Sequence, residues 1–106
     1  MDEILSKIIS IIVKDTDPSR IILFGSRATG LNSRDSDYDL LIITTSDINK
    51  RKILKQLYLD LYGLGAPIDL LFLNECKIDE VRKNKFMIYK EALEQGLTIY
   101  EKQKIS

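Results

Sequence analysis

Two short apolar segments, joined by a polar stretch with a fixed order of glycine, serine and aspartate, constrain this chain more than any other feature. The first segment, Ile21–Phe24, runs into a Gly-Ser pair at 25–26. After ten intervening residues, an Asp-Tyr-Asp tripeptide at 37–39 leads into a second apolar run, 40–43. Continuous apolar runs of this length are typical of buried strands. The sequence therefore predicts two strands, the first ending in a turn and the second beginning with two carboxylates.

The turn has the composition of a phosphate cradle. Gly25 lets the backbone turn sharply and lets a ligand approach closely. Ser26 adds a hydroxyl and an N–H at the start of a short helix, where successive N–H groups favour a phosphate. Arg27 either adds a cation to this cradle or only decorates the helix, and the sequence leaves both readings open.

Three aspartates form the candidate metal site. Side chains alternate along a strand, so Asp37 and Asp39 point to the same side, where carboxylates suit hard cations such as Mg²⁺. Asp69 lies inside a third apolar run, 66–73, where an ionised carboxylate is costly unless it is paired or bound to metal. If that strand lies beside the second one, Asp69 completes the cluster as a metal ligand or as a general base.

At this point the chain resembles the DNA polymerase β nucleotidyltransferase superfamily, and most closely its minimal nucleotidyltransferase (MNT) subfamily. The resemblance is carried by the stretches 23–28 and 36–42, by Asp69 as the later aspartate, and by the ending 94–101. It covers roughly residues 3 to 101. One departure is Thr29, where the family often has arginine.

The resemblance implies a function as well as a fold. Gly25 and Ser26 would hold the nucleotide triphosphate, Asp37 and Asp39 would ligate two Mg²⁺ ions, and Asp69 would activate the acceptor. MNT proteins are commonly encoded beside a HEPN-domain ribonuclease toxin and act as antitoxins that transfer AMP from ATP to a tyrosine of the toxin. The resemblance thus implies a protein adenylyltransferase with ATP as substrate and a HEPN toxin as partner.

Composition limits the other possibilities. The 106 residues suit one domain, and 16 basic against 16 acidic residues leave no net field that favours nucleic acid or an anionic membrane. The absence of histidine argues against a zinc site or a histidine-based triad, and the single cysteine, Cys76, excludes an internal disulfide. With no apolar run of membrane-spanning length and no signal peptide, we expect a cytoplasmic protein.

The remaining pattern predicts an α/β fold, a small sheet flanked by helices, and the resemblance makes that sheet mixed. A first helix should begin after Asp2 and a later one after Ser46 or Asp47. Strands are predicted at 20–24, 38–44, from Pro67 and at 98–100. The side chains expected to be buried on the later helices are Leu54, Leu57, Tyr58, Leu61, Tyr62, Phe86, Tyr89, Ala92 and Leu93. A short helical segment is predicted at 75–82, Asn84 should cap the last helix, Gly96 should end it, and Cys76 should fill interior space.

Two alternatives to the protein adenylyltransferase remain at this stage. The chain is also compatible with an antitoxin that neutralises its partner by binding alone. A transferase acting on a small molecule or an RNA end is the third reading, and the absence of an acceptor-binding domain and of a basic surface excess weighs against it.

Overall fold

The computed structural model describes residues 2–33, 35–45, 49–83 and 87–103. The helices are Glu3–Thr16 (α1), Ser26–Thr29 (α2), Lys50–Leu61 (α3), Ile78–Lys83 (α4) and Met87–Gln95 (α5), and the strands are Arg20–Phe24 (β1), Tyr38–Thr44 (β2), Ile68–Asn74 (β3) and Leu97–Glu101 (β4). Single 3₁₀ turns follow α3 and β3. Within the described ranges, no helix combines the length and apolar character needed to cross a membrane.

The four strands form one mixed sheet in the order β3-β2-β1-β4. β1 is antiparallel to both β2 and β4, whereas β2 and β3 are parallel. The parallel pair is joined through α3, which is the crossover that parallel strands require. The predicted fold class, a small mixed sheet flanked by helices, is confirmed.

One face of the sheet is covered by α1 and α3. Asp2 caps α1 as predicted, since its Oδ1 accepts a hydrogen bond from the Leu5 N–H at 2.6 Å. The buried residues of this layer recur every three or four positions on the helices and every second position on the strands. They are Leu5, Ile8, Ile12, Ile21, Leu23, Tyr38, Leu40, Ile42, Leu57, Leu61 and Phe72.

The opposite face packs against α4 and α5. Its buried residues are Ile22, Phe24, Leu41, Ile43, Leu73, Val81 and Ala92, with Tyr89 and Leu93 packed partly buried against them. On β2 the two sets alternate strictly, so Asp39 belongs to the α4 and α5 face. This assignment decides on which side of the sheet the candidate site opens.

Some predictions about buried residues are wrong. Tyr58 and Tyr62 are 46% and 87% exposed, because α3 buries only the narrow stripe that contains Leu57 and Leu61, and Tyr62 lies beyond the end of that helix. Cys76 is also exposed, on the 3₁₀ turn after β3.

The structure identifies the residue that caps α3, for which Ser46 or Asp47 was predicted. Asn49 caps α3, since its side chain accepts a hydrogen bond from the Lys52 N–H. The predicted positions Ser46, Asp47, Asn84 and Phe86 lie outside the described residues.

Gly96 is required where α5 passes into β4. A Cβ at this position would overlap with the Ala92 carbonyl oxygen and the Ile22 Cγ2 atom. Gly96→Ala should therefore destabilise the protein by about 1–3 kcal/mol, because neither neighbour can give way cheaply. Urea unfolding checks this, with Gly63→Ala as the matched control, since a Cβ at Gly63 meets nothing within 4 Å. Equal effects of the two substitutions would contradict the steric explanation.

Candidate metal and nucleotide site

The three candidate metal ligands come together at one place in the fold. Asp39 on β2 and Asp69 on β3 are directly paired in the register of the two parallel strands, and Asp37 lies just before β2 begins. One carboxylate oxygen from each residue lies within 4.8 Å of the others. The predicted convergence of these carboxylates is therefore observed, while their chemical roles stay a prediction.

The Gly-Ser turn lies against the same cluster. Phe24, the last residue of β1, is paired with Asp39 across the antiparallel ladder, and Gly25 follows it. Gly25 has φ 75° and ψ −155°, a region of backbone space that is essentially restricted to glycine. A Cβ at Gly25 would overlap with the Asp39 carboxylate. The backbone of the predicted phosphate cradle thus abuts the predicted metal ligand.

The short helix α2 starts from this glycine. Gly25 occupies its N-cap position, and the Ala28 N–H donates to the Gly25 carbonyl at 3.1 Å. The N–H groups in the first turn of a helix have no acceptor within that helix. Ser26 therefore directly follows the glycine that lies against Asp39, and its role in binding phosphate stays a prediction.

Asp39 is the least exposed of the three carboxylates. Burial raises its pKa, and the neighbouring charges of Asp69 and Asp37 raise it further. A weaker contribution comes from Glu91 on α5, which the sequence reasoning did not identify. No pattern in the sequence distinguishes Glu91 from other exposed acidic residues. Its proximity to Asp39 depends on how α5 packs on the sheet.

The donor set fits a hard divalent cation. Carboxylate oxygens are the ligands that Mg²⁺ prefers, and Mg²⁺ completes its octahedron with water and substrate phosphates. Two of these carboxylates are exposed, so a ligand has access to the cluster. The close approach of Gly25 leaves no side chain between the cradle and Asp39.

Tyr38 separates the two aspartates in sequence and points away from them, as predicted. Its ring is buried in the layer formed with α1, and its hydroxyl donates to Asp2 Oδ2 at 3.2 Å. The Arg27 guanidinium stacks over this ring, 3.8 Å from the centroid. The predicted contact of Arg27 with a nucleotide is not tested by this geometry and stays a prediction.

The carboxylate cluster should make stability depend on pH when no metal is bound. Because the pKa of Asp39 is raised on folding, the folded state holds its proton more tightly, and stability falls as pH rises from the ordinary carboxyl range through the raised pKa. Asp39→Asn removes this contribution, so the variant should be the more stable protein at pH 7 in EDTA. Urea titrations of both proteins between pH 4 and 7.5 measure the difference.

Comparing the two proteins cancels the effect of Asp15, whose pKa is also raised, by burial and by Asp60. Added Mg²⁺ should stabilise the wild type by mass action and leave Asp39→Asn nearly unchanged. A pH dependence of equal size in both proteins would contradict the assignment.

The family comparison agrees with this geometry. The sequence matches the model of the family described as "Polymerase beta, Nucleotidyltransferase" over residues 6–105. No curated protein shows significant similarity to the chain.

Three solved structures share the fold at low sequence identity. A toxin–antitoxin crystallised with AMP-PNP superposes with a TM-score of 0.64 at 20% identity, over 92% of this chain and 73% of that one. A mutant of the toxin–antitoxin MntA–HpeT with two Asp-to-Glu substitutions gives 0.62 at 19%, with the same coverage. A Tyr-to-Ala mutant of that pair gives 0.59 at 17%, over 93% and 73%. These similarities are consistent with the MNT resemblance of the sequence.

Proposed function

The chain belongs to the polymerase β nucleotidyltransferase family, and from that premise we propose that it is a Mg²⁺-dependent adenylyltransferase. Its substrate is ATP, and its acceptor is a hydroxyl of a partner protein, a tyrosine of a HEPN toxin. In this role the chain is the antitoxin of a toxin–antitoxin pair and acts in the cytoplasm.

One observation carries the proposal, namely the contact between the Gly25 turn and the carboxylate cluster. Nucleotidyl transfer needs a cradle for the triphosphate next to metal-binding carboxylates. In this chain the Gly25 turn and the three carboxylates are adjacent, because Phe24 and Asp39 are paired across the sheet. A purely structural role would require neither the restricted backbone of Gly25 nor three carboxylates within 4.8 Å.

The residues divide the work as follows. Gly25 and Ser26 would bind the phosphates through backbone N–H groups, and Asp37, Asp39 and Asp69 would hold two Mg²⁺ ions. The chemistry that bound Mg²⁺ would supply is polarisation of the α-phosphate and neutralisation of the charge on the departing pyrophosphate. Asp69 orients the acceptor hydroxyl and takes its proton as the oxygen attacks the α-phosphorus. A bond forms between that oxygen and phosphorus, the bond to the β-phosphate breaks, and pyrophosphate leaves.

The nature of the partner is supported by the proteins that share this fold. Two of them are forms of a toxin–antitoxin named MntA–HpeT, and a third was crystallised with an ATP analogue. A toxin as the acceptor protein, and ATP as the donor, are the proposals that these proteins suggest for the present chain.

Mass spectrometry of the partner tests the proposal. The protein encoded by the reading frame beside that of this chain is incubated with the chain, ATP and Mg²⁺. We expect mass gains in steps of one AMP and a modified tyrosine in the peptide map. The control reaction contains Asp39→Asn, which should keep the fold while it removes a proposed metal ligand.

The other readings give different results. A stable complex that suppresses toxicity without any mass change would replace the enzyme with an antitoxin that acts by binding alone. Transfer of AMP to a small molecule or an RNA end, with no protein partner present, would show that the acceptor is not a protein.

A further inference from the structure

We propose that Arg27 is a positioning residue that holds the metal ligand Asp37 in place through contacts with the residues on both sides of it. This inference rests on the proposed role of Asp37 as a ligand. It gives Arg27 a task different from the phosphate contact predicted from the sequence.

The contacts of Arg27 bracket Asp37 in the chain. Its Nε donates a hydrogen bond of 3.0 Å to the carbonyl of Ser36, the residue before Asp37. Its guanidinium lies 3.8 Å from the ring centroid of Tyr38, the residue after Asp37. One planar side chain therefore contacts the backbone before Asp37 and the side chain after it, and these two contacts hold the backbone position from which the Asp37 carboxylate extends.

Asp37 needs such support more than the other two ligands. Asp39 and Asp69 lie within strands, where the ladder of β2 and β3 holds them. Asp37 is exposed and precedes β2, at the end of a loop whose described residues 31–33 and 35 are also exposed. Ordering such a ligand lowers the entropy lost when a metal binds, because less of the loop remains to be fixed.

Tyr38 connects the contacts of Arg27 to the hydrophobic core. The Tyr38 ring is 3% exposed and packs with the buried layer on α1. Its hydroxyl donates a hydrogen bond of 3.2 Å to Asp2 Oδ2, and Asp2 is the residue that caps α1. Arg27 thus connects the loop to a fixed point of the fold.

Arg27 also follows Ser26 directly, within α2. The same residue therefore joins the proposed phosphate cradle to the Asp37 end of the proposed metal site. A change in the position of α2 would be passed to Asp37 through this side chain.

Manganese binding without nucleotide tests this role. Mn²⁺ is titrated into metal-free protein and the free ion is followed by electron paramagnetic resonance. Arg27→Gln should weaken Mn²⁺ binding about tenfold, the lower range for losing a residue that orients a metal ligand. Arg27→Lys should weaken Mn²⁺ binding by a similar factor, because the lysine ammonium keeps the charge but lacks the planar guanidinium that makes both contacts.

The matched control is Arg51→Gln, which makes the same change at an exposed position on α3, and it should bind Mn²⁺ as the wild type does. The kinetics of AMP transfer provide a second measurement. If Arg27 is a positioning residue, saturating Mn²⁺ should restore most of the transfer rate of Arg27→Gln, and the KM for ATP should change less than threefold.

Unchanged Mn²⁺ affinity in Arg27→Gln, with KM for ATP raised tenfold and recovered in Arg27→Lys, would overturn the inference and make Arg27 a phosphate ligand. The proposed function would survive that result. If the wild-type protein binds Mn²⁺ no better than Asp39→Asn does, the three carboxylates are not a metal site, and both proposals are wrong.

Discussion

Replacing Asp39 with asparagine should reduce AMP transfer by about a thousandfold or more, which corresponds to about 4 kcal/mol of transition-state stabilisation. The amide is nearly isosteric but carries no charge, so the cluster loses the carboxylate that is paired with Asp69 across the strands and lies against the Gly25 turn. Because the neighbouring acidic groups and burial oppose ionisation of Asp39, folding should not suffer. Transfer is measured by intact-mass spectrometry of the acceptor protein over time, and folding by circular dichroism.

The combination of lost activity and retained stability is the diagnostic result. Asp79→Asn is the matched control, since Asp79 is exposed in the first turn of α4 and belongs to no carboxylate cluster among the described residues. It should transfer AMP at the wild-type rate. Transfer by Asp39→Asn within tenfold of wild type would remove Asp39 from the proposed mechanism.

Gly25→Ala should damage the site and the fold together. The backbone of Gly25 lies in a region where other residues cost about 1–3 kcal/mol. The added methyl group would also meet the Asp39 carboxylate and displace it from Asp69. We expect a loss of stability of about 2 kcal/mol or more, together with transfer reduced by at least about a hundredfold, as when a positioned group is lost.

Gly65→Ala separates backbone strain from displacement of the carboxylate. Gly65 also has positive φ, but it adopts the ordinary left-handed conformation, and a Cβ there meets nothing within 4 Å. This control should lose about 1 kcal/mol of stability and keep its activity. If Gly25→Ala behaves like Gly65→Ala in both assays, the close approach of the turn to Asp39 has no functional importance.

The parts of the fold that follow from local patterns could be predicted from the sequence. The apolar runs define β1 and β2 at their observed limits, and Asp2 caps α1 as expected. The convergence of Asp37, Asp39 and Asp69 was predictable once the third apolar run was placed beside the second. Alternation along β2 also predicted that Tyr38 faces away from the aspartates.

The remaining features depend on how elements pack, which no local pattern reveals. Tyr58 lies at helical spacing from buried residues, yet it faces solvent because α3 touches the sheet along a narrow stripe. Glu91 affects the pKa of Asp39 only because the fold brings α5 close to the start of β2, where Asp39 lies. The stacking of Arg27 on Tyr38 joins residues eleven positions apart through a loop whose path the sequence does not specify.

The order of the strands gives the proposed reaction a direction. Phe24, which directly precedes Gly25, is paired with Asp39 on β2, and Asp39 is paired with Asp69 on β3, so the three strands carry these residues in a row at the usual spacing of about 4.8 Å. The triphosphate would occupy one end of this row and the acceptor the other, as an in-line displacement requires. Since β3 is the outer strand, the acceptor end of that axis lies at the margin of the sheet, so a folded partner protein can present its hydroxyl without entering a cleft.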